Sequence, residues 1–272
     1  MFRKSFGKSS GTLHALCQVL ILYLIIILNI GYVARAETLS YDEDWDYGVV
    51  VVLYGSQYGT GFWVGRNWIV TAGHVVSFQS YAKVQLIHGD FETYGTVVYV
   101  DQQHDVAIIK AEDVPARVHY FKISVSIEKG MKVYAIGYPF ELYILYGDVK
   151  KMSANPRGAE GMITWIDYEA QLAEIQASID QGNSGGPVVS SSGAVVGLVS
   201  FAMQGEVGTM YFVTTCDAIR SALTKAGASY QLDIMSSISS STEGSILLGA
   251  LAGAMASFIV VMLMMGARQR GR

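Results

Sequence analysis

DQGNSGGP, residues 180–187, places one serine, Ser184, among three glycines. A serine hydroxyl is a weak nucleophile unless a base removes its proton and N–H donors stabilise the oxyanion that forms. Glycines beside the serine let the backbone approach a reacting carbonyl closely, because they have no side chain. The stretch therefore predicts a nucleophilic serine, provided that the chain also supplies a base and an acid.

Candidates for both partners lie upstream of the serine. His74 lies in the β-branched run IVTAGHVV at residues 69–76, and Asp105 opens the apolar run DVAIIK at residues 105–110. The order His, Asp, Ser is that of one of three unrelated triad-bearing folds, the double β-barrel. We therefore predict that Ser184 is the nucleophile, that His74 is its general base, and that Asp105 orients His74.

Other histidines and aspartates compete for these roles. His104 adjoins Asp105, but adjacent residues on a strand point to opposite faces, so both cannot easily enter one site. Asp101 precedes a polar turn, and Asp180 is too close in sequence to the serine to reach behind the histidine. The pair chosen above is therefore favoured over these alternatives.

The residues around the three motifs resemble the trypsin-like serine proteases, and among them the HtrA/Deg branch. The resemblance covers roughly residues 46–226 and includes three further stretches, GTGFWVG at 59–65, VYAIGYPF at 133–140 and IQASI at 175–179. It implies an all-β fold, a trypsin-like double six-stranded β-barrel with a short C-terminal helix. It also implies a serine-type endopeptidase that forms an acyl-enzyme and needs no metal or cofactor.

The same resemblance implies that the N–H groups of Gly182 and Ser184 form the oxyanion hole. Asn183 stands where the digestive members of the family have an aspartate that pairs with a newly cut N-terminus. Asparagine has no charge for that pairing, so activation by such a cut is not expected. HtrA-like members also have asparagine at this position.

Four residues are expected to contact substrate by this resemblance. Ser200, Phe201 and Ala202 resemble the segment that runs beside bound substrate, and Ser178 aligns near the base of the specificity pocket. No acid lies at that base, so we expect uncharged, small or apolar side chains at the scissile residue. Ser200 is also placed to hydrogen-bond Asp105.

Short strand-like segments separated by glycines and polar turns predict two barrels, at about residues 46–112 and 119–215, within a domain at 37–228. One predicted strand, 143–149, lies in the segment 141–159, which also has the composition of a long loop that shapes the site. A short helix is predicted at 217–226. Residues 37–46 are acidic and aromatic, and we expect a mobile leader there.

Both ends of the chain are hydrophobic. A basic start, an apolar run and the small residues ARA at 34–36 predict a signal peptide or an uncleaved signal anchor over residues 1–36. A Ser-rich tether at 229–245, too short for a PDZ domain, precedes an uncharged run long enough to span a bilayer, predicted as a transmembrane helix at 246–266. The arginines of the tail 267–272 are expected in the cytoplasm, with the central domain extracytoplasmic.

Composition limits the partners. The net charge of −4 gives no reason to expect a nucleic-acid partner, and metal-binding and nucleotide-binding motifs are absent from the sequence. Only Cys17 and Cys216 are present, so the exported domain is expected to fold without disulfides, with Cys216 as a buried structural thiol. Polypeptide substrates and the membrane are the expected partners, and the resemblance leaves a homo-oligomer open.

Together these features predict a membrane-anchored, extracytoplasmic serine endopeptidase that acts in protein quality control or in membrane-proximal processing. The alternative is a catalytically silent, peptide-binding or chaperone-like protein that keeps the trypsin-like fold.

Overall fold

The computed structural model describes residues 40–206 and 208–234. The predicted signal segment at 1–36, the transmembrane helix at 246–266, the tail at 267–272 and most of the tether lie outside these residues. Within the described ranges, no helix combines the length and the apolar character that a membrane crossing requires.

Six antiparallel strands close the first barrel in the order β1-β2-β3-β6-β5-β4. Their bounds are β1 Val49–Tyr54, β2 Gln57–Gly65, β3 Trp68–Thr71, β4 Lys83–His88, β5 Phe91–Asp101 and β6 Val106–Ala111. Valine and isoleucine recur in these strands, as expected for β-branched side chains packed on a pleated surface. Pairing of β1 with β4 closes the barrel around its apolar core.

The second barrel also has six antiparallel strands, in the order β11-β8-β9-β10-β13-β12, closed by pairing of β11 with β12. Two short strands, β7 and β14, extend it beside β12 in parallel. The bounds are β7 Ile123–Ser124, β8 Lys132–Gly137, β9 Arg157–Asp167, β10 Leu172–Ala177, β11 Pro187–Ser190, β12 Val195–Gln204, β13 Thr209–Thr215 and β14 Leu232–Asp233. The predicted double six-stranded β-barrel is confirmed.

Three α-helices lie among the described residues: α1 Phe140–Tyr146, α2 Val149–Ser153 and α3 Cys216–Lys225. The last is the predicted short C-terminal helix, and it buries Ile219 and Leu223.

The predicted strand at 143–149 is wrong, because this segment belongs to α1 and α2. Gly147 ends α1 in the left-handed conformation, with φ 64°, and the side chain of Asp148 accepts from the N–H of Lys151 at 2.9 Å to begin α2. Such capping groups favour helix ends, and here they outweigh the strand propensity of the aromatic and aliphatic run.

The expectation of a mobile leader is also wrong where the structure describes it. A 3₁₀ helix, Glu43–Gly48, precedes β1 and buries Trp45, while the ring of Tyr41 packs on the backbone of Gly158 in β9. At the other end, the first part of the predicted tether contributes β14, which pairs with β7. Both ends of the described chain therefore pack on the second barrel.

Candidate active site

His74 and Asp105 meet on the first barrel. His74 begins a 3₁₀ helix, His74–Val76, just after β3, and Asp105 lies in the turn between β5 and β6. Asp105 Oδ1 accepts from the backbone N–H of His74 at 2.9 Å, and Asp105 Oδ2 lies 2.9 Å from His74 Nδ1. A carboxylate at Nδ1 selects the tautomer in which Nδ1 carries the proton, which leaves Nε2 free to accept one.

A residue of the second barrel holds the same carboxylate. Ser200, almost fully buried in β12, donates its hydroxyl to Asp105 Oδ2. This is the hydrogen bond expected from the sequence. The carboxylate therefore has donors on both oxygens, which fixes its orientation toward His74.

Ser184 lies in the loop between β10 and β11, and its Oγ donates to the backbone carbonyl of Ser200 at 3.4 Å. In the described part of the chain, the hydroxyl of Ser184 makes this bond rather than one to His74. Ser200 thus contacts both Ser184, through its carbonyl, and Asp105, through its hydroxyl. The structure thus links Asp105 and His74 on the first barrel to Ser184 on the second barrel through Ser200.

The backbone before Ser184 has a defined orientation. The carbonyl of Gln181 accepts from the N–H of Phe140, the first residue of α1, at 2.7 Å. Because a peptide unit is planar and trans, the N–H of Gly182 points away from Phe140. Among the described residues, the N–H groups of Gly182 and Ser184 donate to no other group, so two donors are available on the same loop.

Gly182 has no room for a side chain. Its φ is +91°, and a Cβ there would lie 2.2 Å from the carbonyl oxygen of Tyr138 and 2.9 Å from the hydroxyl of Tyr58. Both the left-handed conformation and the close backbone contact require glycine. The sequence motif thus has a steric cause at this position.

Thr60 of β2 ties the serine loop to the first barrel, and the sequence analysis missed it. Its N–H donates to the carbonyl of Ser184 at 2.8 Å, and its Oγ1 donates to the carbonyl of Gly182 at 2.7 Å. The same Oγ1 accepts from the N–H of Tyr138 at 3.1 Å. A fully buried threonine between two glycines, in GTG at 59–61, is the signal that could have found it, since buried hydroxyls need partners.

Tyr58 was also missed. Its buried hydroxyl has no hydrogen-bond partner in the described residues and lies beside Gly182. Burial, followed by the nearby charges of Glu141, Tyr143 and Asp180, raises the pKa of Tyr58 to about 12. The phenol therefore stays protonated at neutral pH, next to the loop that precedes Ser184.

The competing residues are engaged elsewhere. His104 Nδ1 lies 3.0 Å from Asp101 Oδ2, so these two pair with each other rather than with Ser184. Asp180 is exposed and accepts from the N–H of Gln181 at 2.7 Å, and its contacts with Glu141 and with that N–H lower its pKa. Cys216 is buried, and burial raises the pKa of its thiol to about 11.

The residues expected to contact substrate form a less compact group. Phe201 is 41% exposed and stacks on Phe212 with ring centroids 5.0 Å apart, and Ala202 pairs with Tyr211 across β12 and β13. Both follow Ser200 directly on β12. Ser178 is exposed just beyond the end of β10, and no side-chain hydrogen bond joins it to Ser184 among the described residues.

Comparison with known proteins shows which families this chain resembles. Residues 59–198 match the family model of the trypsin-like peptidase domain. The chain is 32% identical over 180 residues to Protease Do-like 1, chloroplastic, of Arabidopsis thaliana, covering 64% of this chain and 38% of that protein. It is 31% identical over 176 residues to Serine protease Rv3671c of Mycobacterium tuberculosis, covering 62% of this chain and 42% of that protein. The chain thus spans about two fifths of the length of these curated relatives.

The crystal structure of the active form of the Rv3671c protease superposes on this fold with a TM-score of 0.54 and 25% identity, covering 69% of this chain and 84% of that one. Matching curated relatives include serine proteases named for the HtrA, Deg and Do-like types. On the strength of the family match over residues 59–198, the chain belongs to the family of trypsin-like peptidase domains.

Proposed function

We propose that the protein is a serine endopeptidase that hydrolyses peptide bonds through an acyl-enzyme. Ser184 Oγ attacks the scissile carbonyl carbon, while His74 Nε2 takes the hydroxyl proton. Asp105 holds His74 in the required tautomer and stabilises the imidazolium. His74 then gives the proton to the leaving amine, and a water molecule, deprotonated by His74, hydrolyses the acyl-enzyme.

The oxyanion of each tetrahedral intermediate is bound by the N–H groups of Gly182 and Ser184. Support comes from the bond between Phe140 N–H and the Gln181 carbonyl, which turns the Gly182 N–H away from α1. Donors fixed before the reaction cost no reorganisation when charge develops. Thr60 keeps these donors in place through its bonds to Gly182 and Ser184.

The observation that most supports this function is the double contact of Ser200. Its hydroxyl donates to Asp105 and its carbonyl accepts from Ser184 at 3.4 Å. A single buried residue thereby fixes the distance between the aspartate that orients His74 and the serine that His74 would activate.

One observation favours the catalytically silent alternative. The hydroxyl of Ser184 donates to the carbonyl of Ser200, so this bond must break before the hydroxyl proton can pass to His74. A fluorophosphonate probe separates the two functions, because it reacts only with an activated serine. Labelling of wild type but not of Ser184→Ala supports the peptidase; a folded wild type that never reacts supports the silent protein.

We further propose that the domain lies outside the cytoplasm and is anchored in a membrane. The support is in the sequence: the apolar run before residue 37 and the uncharged run at 246–265 followed by arginines. Added protease should therefore degrade the domain in spheroplasts and leave it intact in sealed inverted membrane vesicles. Protection by an intact cytoplasmic membrane would contradict this placement.

The proposed substrates are polypeptides with uncharged, small or apolar residues at the scissile position, in unfolded or membrane-proximal proteins. Phe201, Ala202 and Ser178 contribute no charge near the proposed cleft. A peptide library that varies the scissile residue tests this preference, which a preferred lysine or glutamate would contradict.

A further inference from the structure

Asp105 is the last residue of a tight turn. Asp101, the end of β5, pairs with Val106, the start of β6, so residues 102–105 form a four-residue hairpin loop. Asp105 has a φ of 56°, in the left-handed region that residues other than glycine seldom adopt. Such a conformation persists only where neighbouring contacts determine it, so the groups that hold this turn also hold the carboxylate of Asp105.

Asp101 provides most of these contacts. Its Oδ1 accepts from the N–H groups of Gln103 and His104 at 3.1 and 3.2 Å, and its Oδ2 lies 3.0 Å from His104 Nδ1. Asp101 is 8% exposed, so these bonds are shielded from water. The side chain therefore closes the turn from inside and fixes the residue immediately before Asp105.

A residue of the second barrel holds the same turn from the other side. Thr214 in β13 is 2% exposed, and its Oγ1 donates to the carbonyl of His104 at 2.7 Å. The peptide unit that joins His104 to Asp105 is thus anchored at its carbonyl. Since peptide units are rigid and planar, this bond restricts φ of Asp105 directly.

We propose that Asp101, His104 and Thr214 are positioning residues that set the carboxylate of Asp105 against His74. Among the described residues, none of the three makes a hydrogen bond or ion pair to Ser184 or His74, so we expect them to act through Asp105. The inference rests on the proposed peptidase function for its effect on rate. The placement of Asp105 itself does not depend on turnover.

The charges around the turn agree with this role. Burial tends to raise the pKa of Asp101, but its bonds to His104 and the charge of Lys225 outweigh burial and lower it. The carboxylate is therefore ionised at neutral pH and can accept all three bonds. The charged or titratable groups facing the turn are His104 and Lys225 for Asp101, and His74 for Asp105.

The test compares Asp101→Ala, Asp101→Asn and Thr214→Val with a matched control. Asp167→Ala removes an aspartate that caps another hairpin turn, between β9 and β10, with bonds to the N–H groups of Glu169 and Ala170 at 3.0 and 2.9 Å. Asp101→Asn and Thr214→Val keep the side-chain volume nearly unchanged, so they cover the case in which Asp101→Ala does not fold. All are made in the full chain in detergent.

The first measurement is the rate of fluorophosphonate labelling at Ser184 from pH 5 to 9. Since small misplacements of reacting groups are costly, we expect Asp101→Ala to lower the rate at pH 7.5 about tenfold or more. Its acid limb should move to lower pH, because a displaced Asp105 stabilises the imidazolium less. Asp101→Asn and Thr214→Val should lower the labelling rate and shift the acid limb in the same direction as Asp101→Ala, but less. Asp167→Ala should match wild type in both.

The second measurement is the low-field proton resonance of His74 Nδ1–H, which reports the bond to Asp105 without turnover. We expect it in wild type and Asp167→Ala, and broadened or shifted upfield in Asp101→Ala and Thr214→Val. A resonance and an acid limb unchanged in every folded variant would overturn the proposal. The wild type could fail to react with the probe while the resonance still changes in Asp101→Ala and Thr214→Val as expected. That result would overturn the peptidase function and leave the positioning role standing.

Discussion

Ser200 of the second barrel donates its hydroxyl to Asp105 of the first barrel. The two residues are 95 positions apart in the sequence, and the bond crosses the junction between two separately closed sheets. The orientation of Asp105, and through it that of His74, therefore depends on how the barrels are joined. The site is completed only when both barrels have folded.

Removing this bond should slow the reaction without unfolding the protein. Hydrogen bonds to charged groups contribute about 1.5–3 kcal/mol, so Ser200→Ala should lower the rate of fluorophosphonate labelling roughly 10- to 100-fold. Ser190→Ala is the control, because Ser190 is also buried but its hydroxyl bonds Ser192. Equal rates in Ser200→Ala and wild type would show that Asp105 does not need this donor.

Gly182→Ala should remove an oxyanion donor. The added Cβ collides with the carbonyl of Tyr138, so the loop must move, and losing one such donor typically costs 10²–10³ in rate. Gly147→Ala is a matched control, since Gly147 also has a positive φ, +64°, but nothing lies within 4 Å of an added Cβ. Labelling rates and melting temperatures of both variants separate the donor from backbone strain. A Gly182→Ala rate close to that of Gly147→Ala would contradict the role of Gly182.

Acid should destabilise the fold through two histidines. Burial lowers the pKa of His88 and of His119 below the ordinary value. Above about pH 6.5 both histidines are neutral in the folded and in the unfolded protein. Just below that pH they gain protons in the unfolded chain but stay neutral in the folded protein. The free energy of unfolding should therefore fall as pH drops below 6.5, by up to about 1.4 kcal/mol per pH unit for each histidine.

Urea unfolding of wild type and the double variant His88→Asn/His119→Asn, between pH 7.5 and 5.5, measures this effect. Asp46 faces His88, and burial raises the pKa of Asp46. Protonation of Asp46 therefore raises the free energy of unfolding as pH falls, in wild type and in the double variant alike. We expect a flatter pH dependence in the double variant. Parallel curves would show that these histidines do not cause the acid sensitivity.

Cys216 should be unreactive in the folded protein. Burial raises the pKa of its thiol to about 11, and a neutral, inaccessible thiol is a poor nucleophile. Iodoacetamide at pH 7.5 should modify Cys216 in urea but not under native conditions, with mass spectrometry as the readout. Rapid native modification would place Cys216 in an exposed, activated environment.

The fold followed from the sequence because its strands are short, β-branched and bounded by turn residues. The six strands of each barrel lie within the range predicted for that barrel, 46–112 or 119–215. The exception, 143–149, combines strand-favouring residues with helix caps at Gly147 and Asp148, and the caps prevailed. Residue propensities alone do not show whether the strand-favouring residues or the helix caps decide the structure of such a segment.

Parts of the site could not be predicted because they depend on contacts distant in sequence. Thr60 contacts Gly182 across 122 positions, and Thr214 contacts His104 across 110. From the sequence, His104 is disfavoured as the base because neighbouring residues on a strand face apart. The structure gives a different reason, since His104 lies in a turn and pairs with Asp101. Contacts such as Thr60–Gly182 and Thr214–His104 form only when the strands pair in the folded protein.

Covalent labelling of Ser184 is the most direct measurement of the central claim. The full chain in detergent is incubated with a fluorophosphonate, and the modified peptide is identified by mass spectrometry in wild type, Ser184→Ala and His74→Asn. We predict one adduct on Ser184 in wild type, none in Ser184→Ala, and a rate in His74→Asn lower by about 10³ or more. A folded wild type without an adduct, or labelling that survives Ser184→Ala, would contradict the account.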